Sequence, residues 1–284
     1  MGLYQNRIVV KVGTSTLTNE CGKSDLRAFD RLACVLSDVQ NMGYEVILVS
    51  SGAIAVGSNK LGRERRPTSM RMKQAAAAVG QCSIMYLYDK FFGDYDKTIA
   101  QILLTAEDMK QEEKKENLTN TFDALLEMGI IPVVNENDSV SYTEIESEER
   151  LFGDNDMLSA VVAVLCKAKR LVILSDINGL YDCDPRLHPA ARLIERIERI
   201  DGGVYSLAGG AGSRRGTGGM KTKLQAADLA TANGTDTIIA NGKTPQILYD
   251  IVGGNHAGTL FVGRRREGRE VSGGCSVPKQ SLAL

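Results

Sequence analysis

Residues 7–15 read RIVVKVGTS. A nearly unbroken run of branched apolar residues, closed by a glycine and two hydroxyl residues, predicts a strand buried on both faces and ending in a tight turn. Lys11 interrupts the run. An unpaired buried ammonium is costly, so this lysine must either reach a cleft or snorkel to solvent. Gly13 then permits close backbone approach, and the N–H groups of such a turn can hold an anion.

The same signature recurs along the chain. Residues 44–50 (YEVILVS), 130–135 (IIPVVN), 171–175 (LVILS) and 237–240 (TIIA) read as short buried strands, and 98–104 as a weaker one. Between them, residues 25–41, 69–92, 117–128, 156–167 and 221–233 carry apolar positions at helical spacing, and Ser51 opens a further helix. This alternation predicts an α/β fold in three layers, a mainly parallel central sheet sandwiched by helices. Such sheets bind ligands beyond the carboxyl ends of their strands. Here those ends read KVGTS, SSGA, NENDS, SDING and ANGK. All are polar or glycine-bearing, although turn chemistry alone enriches the same types.

A length of 284 residues suits one large α/β unit. Residues 1–263 read as that domain, and 264–284 lose periodicity and read as a disordered tail. The net charge of −1 provides no global field to recruit nucleic acid or an acidic membrane. Six cysteines without a C-x-x-C pair, and only two histidines, argue against zinc and point to a reducing cytoplasm. No apolar run approaches the roughly 20 residues of a membrane span.

The strand ends supply candidates for a phosphate site. Ser50-Ser51-Gly52 opens a helix whose free N–H groups suit a carboxylate or phosphate, or make an ordinary serine cap. Asn135-Glu136-Asn137-Asp138 offers four polar groups able to grip an amine or hydroxyl, or forms an Asx-rich turn. In Gly153-Asp154-Asn155-Asp156, Asp154 or Asn155 can cap the next helix. Its two carboxylates raise each other's pKa unless lysines or magnesium balance them. Ser175-Asp176 ends a strand, where Asp176 can meet a hydroxyl or an adenine edge. The stretch GTGGMKTK, residues 216–223, precedes a helix and places Lys223 as a point charge. It is not a P-loop, because Met220 separates Gly219 from Lys221. The acidic TEIESEER, residues 143–150, reads as a solvated hairpin or lid edge. Phosphoryl transfer would use such a set, since the protein mainly positions the groups and neutralises charge spread over the transferred phosphoryl.

Taken in order, VVKVGTSTLT, SSGAIAVG, AAVGQ, PVVNENDSV, FGDNDMLSA, SDINGLYDCDPR and GTGGMKTKLQAAD resemble the amino acid kinase family over about residues 7 to 263. The likeness is to the branch that phosphorylates the γ-carboxylate of L-glutamate with ATP and feeds proline synthesis. It implies that Lys11 and Lys223 are the charge-stabilising pair and that Asp154 orients them. It implies glutamate contacts at Ser51, Asp138 and Asn155, with Asp156 their neighbour. The ATP site would comprise Lys11, Gly13, Ser175, Asp176, Thr217, Gly218, Gly219, Met220, Lys221, Thr222 and Lys223. Ser175 stands where threonine is common in the family. Mg2+ would ride mainly on the ATP phosphates, with no protein ligand assigned. Proline is implied as a feedback inhibitor, glutamyl phosphate reductase as a downstream partner, and a homo-oligomer, dimer or tetramer, as the assembly. The chain is expected to end before the C-terminal PUA domain that many members carry. Rival readings are an N-acetylglutamate, UMP or carbamate kinase, or a non-catalytic amino-acid or nucleotide sensor on the same fold.

Overall fold

The computed structural model describes residues 6–19, 23–62, 67–140, 154–208 and 219–264. The acidic 143–150 stretch, Thr217, Gly218 and nearly all of the expected tail lie outside these residues.

Strand β1 (Arg7–Val12) runs through the single turn α1 (Thr14–Leu17) into α2 (Leu26–Asn41), which Asp25 caps by accepting from the N–H groups of Arg27 and Ala28. Next come β2 (Glu45–Ser50), α3 (Ala53–Lys60), α4 (Met70–Gly93), β3 (Ile99–Leu104), α5 (Glu112–Glu127) and β4 (Ile131–Glu136). The chain then returns to the centre with α6 (Asn155–Leu165) and β5 (Arg170–Ser175). It ends with β6 (Arg196–Ile197), α7 (Gly202–Leu207), α8 (Met220–Ala232), β7 (Asp236–Asn241), α9 (Ile247–Gly253) and β8 (Thr259–Phe261).

The eight strands form one sheet in the order β3-β4-β2-β1-β5-β7-β8-β6. All pairings are parallel except β7 with β8. The chain leaves β1 toward β2, whereas β5, on the other flank of β1, leads on toward β7. The order therefore reverses between β1 and β5, and the region beyond their carboxyl ends is where sheets of this kind bind ligands.

Strand alternation sorts the core into two halves. Ile8, Val10, Val12, Val46, Leu48, Val172 and Leu174 pack with α2, α3, α4 and α9 through Phe29, Val56, Tyr88 and Leu248. Val9, Ile47, Val49, Leu171 and Ile173 pack with α5, α6 and α8 through Phe122, Leu158 and Leu224. Lys11 is two residues from Val9, so it shares the face covered by α6 and α8.

Several helices begin or end away from their expected bounds. Helix α5 starts five residues before the apolar pattern does, because Glu112 and Glu113 favour a helix N-terminus. The short α7, α9, β6 and β8 have too little periodicity to be read from sequence. On the helical face of β2, α3 and α4 touch backbone to backbone. A Cβ on Gly57 would meet the Ala76 carbonyl oxygen at 1.8 Å, and one on Gly80 would meet that of Ala53 at 1.8 Å.

Candidate active site

Three elements converge on one buried carboxylate. Lys11 Nζ, from β1, lies 2.7 Å from Asp156 Oδ1. Lys223 Nζ, from the first turn of α8, lies 3.2 Å from Asp156 Oδ2, and Thr222 Oγ1 donates to the same oxygen at 3.2 Å. Asp156 is 1% exposed, and each lysine is 7% exposed. Burial alone pushes the Asp156 carboxyl upward, but the two ammonium groups outweigh it and hold the group below the usual carboxylate range.

The backbone explains why these side chains meet. Helices α6 and α8 pack closely because their facing residues, Ala160, Ala163, Ala226, Ala227 and Ala230, are small and fully buried. Each contributes its first turn to the sheet's carboxyl edge, where helix N–H groups have no partner within the helix. Gly13 follows β1 so closely that a Cβ there would lie 3.5 Å from Lys11 Nζ. The result is two cations and the N-terminus of α8, whose N-cap is Gly219, gathered at the sheet's carboxyl edge, an arrangement that suits a phosphate.

Asp154 occupies a different place from the orienting position expected of it. It is the N-cap of α6, with Oδ1 accepting from the N–H groups of Asp156 at 3.0 Å and Met157 at 3.2 Å. A cap sits outside the first turn, whereas Asp156 is within it and faces the sheet. The carboxylate between the lysines is therefore Asp156. Among the described residues, Asp154 Oδ2 is buried with no hydrogen-bond partner.

A second group lies at the ends of β2 and β4. Ser51 N–H donates to the Val12 carbonyl at 3.2 Å, and Gly52 turns with φ +105°, a conformation that favours glycine. Asn155 Nδ2 donates to the Ser50 carbonyl and to Asn135 Oδ1, both at 2.7 Å. Asn135 Nδ2 donates in turn to Gln81 Oε1 at 2.8 Å. Asp138 is half-buried in the turn after β4.

On the far side of β1, Ser175 closes β5 and its hydroxyl donates to Asp176 Oδ1 at 3.2 Å. Asp176 is exposed. The loop beyond is anchored from β8, because the Leu180 N–H donates to Thr259 Oγ1 at 2.8 Å. Gly219 caps α8, Met220 is half-buried behind it and Lys221 is exposed. Lys11, Asp156, Thr222 and Lys223 thus come into contact.

Asn135 is one of the four polar groups expected at the end of β4, but Gln81 was not among the candidate site residues. A signal for Gln81 existed. It lies on one helical face with Ala77, Ile84 and Tyr88, all buried, so a polar residue on that stripe needs a polar partner.

A buried carboxylate between two lysines at the carboxyl edge of a parallel sheet is an arrangement suited to phosphoryl transfer, and comparisons with known proteins give the class. The description "Amino acid kinase family" matches residues 6–241. The chain belongs to the amino acid kinase family. It is similar along most of its length to glutamate 5-kinases. It is 54% identical over 261 residues to glutamate 5-kinase of Clostridium perfringens, covering 92% of this chain and 97% of that one. It is 49% identical over 261 residues to glutamate 5-kinase of Listeria innocua, covering 92% and 94%. Solved structures share the fold at low identity. UMP kinase from Bacillus anthracis has a TM-score of 0.61 at 12% identity, covering 92% and 97%. Carbamate kinase from Giardia lamblia, bound to AMP-PNP, has a TM-score of 0.62 at 15% identity, covering 90% and 98%.

Proposed function

We infer that this chain moves the γ-phosphoryl group of ATP onto the γ-carboxylate of L-glutamate, giving L-glutamyl 5-phosphate, the first step of proline biosynthesis. The observation that carries the reading is the Lys11–Asp156–Lys223 contact in a chain about half identical to glutamate 5-kinases.

In the proposed reaction a γ-carboxylate oxygen attacks the γ-phosphorus in line, and the bond from that phosphorus to the β–γ bridging oxygen breaks. Negative charge spreads over the transferred group and both flanking oxygens. Lys11 and Lys223 neutralise it from two sides. Asp156 holds both ammonium groups in direction before substrate arrives, so little reorganisation is needed during transfer. Gly13 and the start of α8 present backbone N–H groups to the phosphates. Ser175, Asp176, Thr217, Gly218, Gly219, Met220, Lys221 and Thr222 complete the nucleotide side. Ser51, Asp138 and Asn155 hold the glutamate.

Mg2+ is expected to arrive with the nucleotide and supply further charge neutralisation. It favours phosphate oxygens and waters over a dedicated protein cage, and both oxygens of Asp156 already face ammonium groups. Asp154 Oδ2, buried and without a hydrogen-bond partner among the described residues, is a hard oxygen donor suited to a water of that shell.

Four further points rest on the same reading. Proline, which shares the α-amino-acid head group with glutamate, would compete as feedback inhibitor. A glutamyl phosphate reductase would receive the labile acyl phosphate. The chain would work as a homo-oligomer, a dimer or tetramer. The enzyme would act in the cytoplasm, where its thiols stay reduced.

The deciding experiment is a coupled ATP assay with L-glutamate and hydroxylamine, which traps an acyl phosphate as the hydroxamate. Hydroxamate formed in step with ADP supports the reading. Turnover with N-acetylglutamate, UMP or carbamate and none with glutamate would overturn it. Nucleotide binding without any turnover would favour a sensor.

A further inference from the structure

Helix α4 lies on the opposite face of the sheet from the two lysines, yet it reaches the acceptor side of the cleft through Gln81. The contacts form one directed chain. A backbone carbonyl can only accept, so the Ser50 oxygen requires the nitrogen of the Asn155 amide to face it. That nitrogen has a second hydrogen, which goes to Asn135 Oδ1. Asn135 must therefore present its own nitrogen to the other side, and Gln81 Oε1 accepts it. Asn135 is 3% exposed, so a nitrogen left there without an acceptor would be penalised or the amide would turn over. If Asn135 turned over, its nitrogen would face that of Asn155, and two donors cannot pair. Asn155 would swing away from Ser50. In the arrangement observed, both hydrogens of Asn155 Nδ2 are engaged, and its Oδ1 remains as an acceptor for a ligand.

We propose that Gln81 is a positioning residue for the acceptor substrate. It fixes the amide orientation of Asn135, and through Asn135 it keeps the Asn155 oxygen turned toward the incoming amino acid. A donor group on that amino acid, its ammonium, is the chemistry this oxygen recognises. The proposal rests on the glutamate-kinase reading for the identity of the acceptor, but the amide chain itself does not. Helix packing supports the assignment. Tyr88, two turns on along the same face, is hydrogen-bonded to the Ser50 hydroxyl at 2.9 Å and is fully buried. Two side chains of α4 thus hold the ends of β4 and β2, where the acceptor side begins.

The test compares Gln81→Met, which removes the acceptor at similar size, with Gln81→Glu, which keeps an acceptor oxygen. In Gln81→Met the KM for glutamate rises about tenfold or more, the scale of one orphaned buried donor, with the KM for ATP unchanged and kcat less affected. The second readout is the protection of the Asn135 side-chain amide protons by NMR. They exchange slowly in the parent protein and in Gln81→Glu, and rapidly in Gln81→Met. An unchanged glutamate KM in folded Gln81→Met, or equal changes in both KM values, overturns the proposal. Fast exchange of the Asn135 amide in the parent protein also overturns it, without any variant. If the parent fails to phosphorylate glutamate, the proposed function falls, and the exchange readout alone decides whether Gln81 holds the amide chain.

Discussion

Lys223 and Asp156 meet across 3.2 Å from the first turns of two neighbouring helices, and the same carboxylate takes Lys11 at 2.7 Å through its other oxygen. One buried anion thus holds two cations that are 212 positions apart in the chain (223 − 11). Neither lysine alone would stay at the cleft without cost, because a buried ammonium needs a partner.

Replacing Asp156 by Asn removes the charge and leaves the two ammonium groups facing each other. We expect kcat to fall at least about a hundredfold, the scale of one preorganised electrostatic contact. Stability should drop by about 3 kcal/mol at neutral pH, as for a broken buried pair. The pH dependence has a definite sign. The folded carboxyl titrates below its unfolded value of 3.8, so its contribution is present above that pH and is lost as pH falls through the folded value. The stability gap between parent and Asp156→Asn should therefore hold steady above pH 5 and close on further acidification. Denaturant titrations across that range measure it, and a gap that widens in acid would remove the ion pair as the cause.

Lys223→Ala tests the cation rather than its anchor. ATP turnover should fall at least about a hundredfold while the circular dichroism spectrum stays that of the parent. Restoration of most activity by Lys223→Arg would argue that charge alone suffices. We expect poor restoration, because a guanidinium is larger and forks where the ammonium is compact. Parent-like turnover in Lys223→Ala would exclude Lys223 from the reaction.

The sheet was legible because its strands are short runs of Val, Ile and Leu between polar ends, a pattern local to each segment. The convergence of Lys11 with Lys223 was implied by family resemblance, and the strand alternation of Val9 and Lys11 gives it a physical basis. The choice between Asp154 and Asp156 was not legible. They are two positions apart at the start of one helix, and only its rotation about its axis separates a capping carboxylate from one facing the sheet. Gln81, and the link from Asn135 to it, escaped for a related reason. Their importance lies in a bond across 54 positions, which no local spacing reveals. The antiparallel β8 is too short for its alternation to register.

Gly80 offers a prediction about packing rather than chemistry. An added methyl would meet the Ala53 carbonyl, a backbone atom that cannot rotate aside. Gly80→Ala must therefore push α3 away from α4, and α3 begins beside Ser51. We expect a loss of about 3 kcal/mol, a fall in Tm on the order of 5–10 °C, and a raised KM for glutamate. Thermal melts without ligand provide the check. Parent-like stability would show that the two helices can separate freely.

Arg7 provides the contrast at the other end of the same strand. Its guanidinium is 3% exposed and donates to Glu45 at 2.7 Å, to Asp123 at 2.9 Å and to the Cys166 carbonyl at 2.8 Å. It ties β1 to β2, to α5 and to the end of α6. Burial works against the charge, yet the two carboxylates outweigh it and keep the guanidinium pKa raised. Arg7→Met keeps the alkyl stem but strands both carboxylates and the carbonyl. Glu45 and Asp123 remain 30% and 26% exposed, so water relieves part of the loss. We expect about 2–3 kcal/mol of destabilisation, below the range for a fully buried pair. Four residue steps of strand carry the chain from Arg7 to Lys11, about 13 Å, so kcat and both KM values should stay within about twofold of the parent. Urea unfolding and steady-state kinetics on one preparation test both halves. A kcat lost to the same degree as in Asp156→Asn would mean that the two ends of β1 are coupled, and that the cleft is not held by α6 and α8 alone.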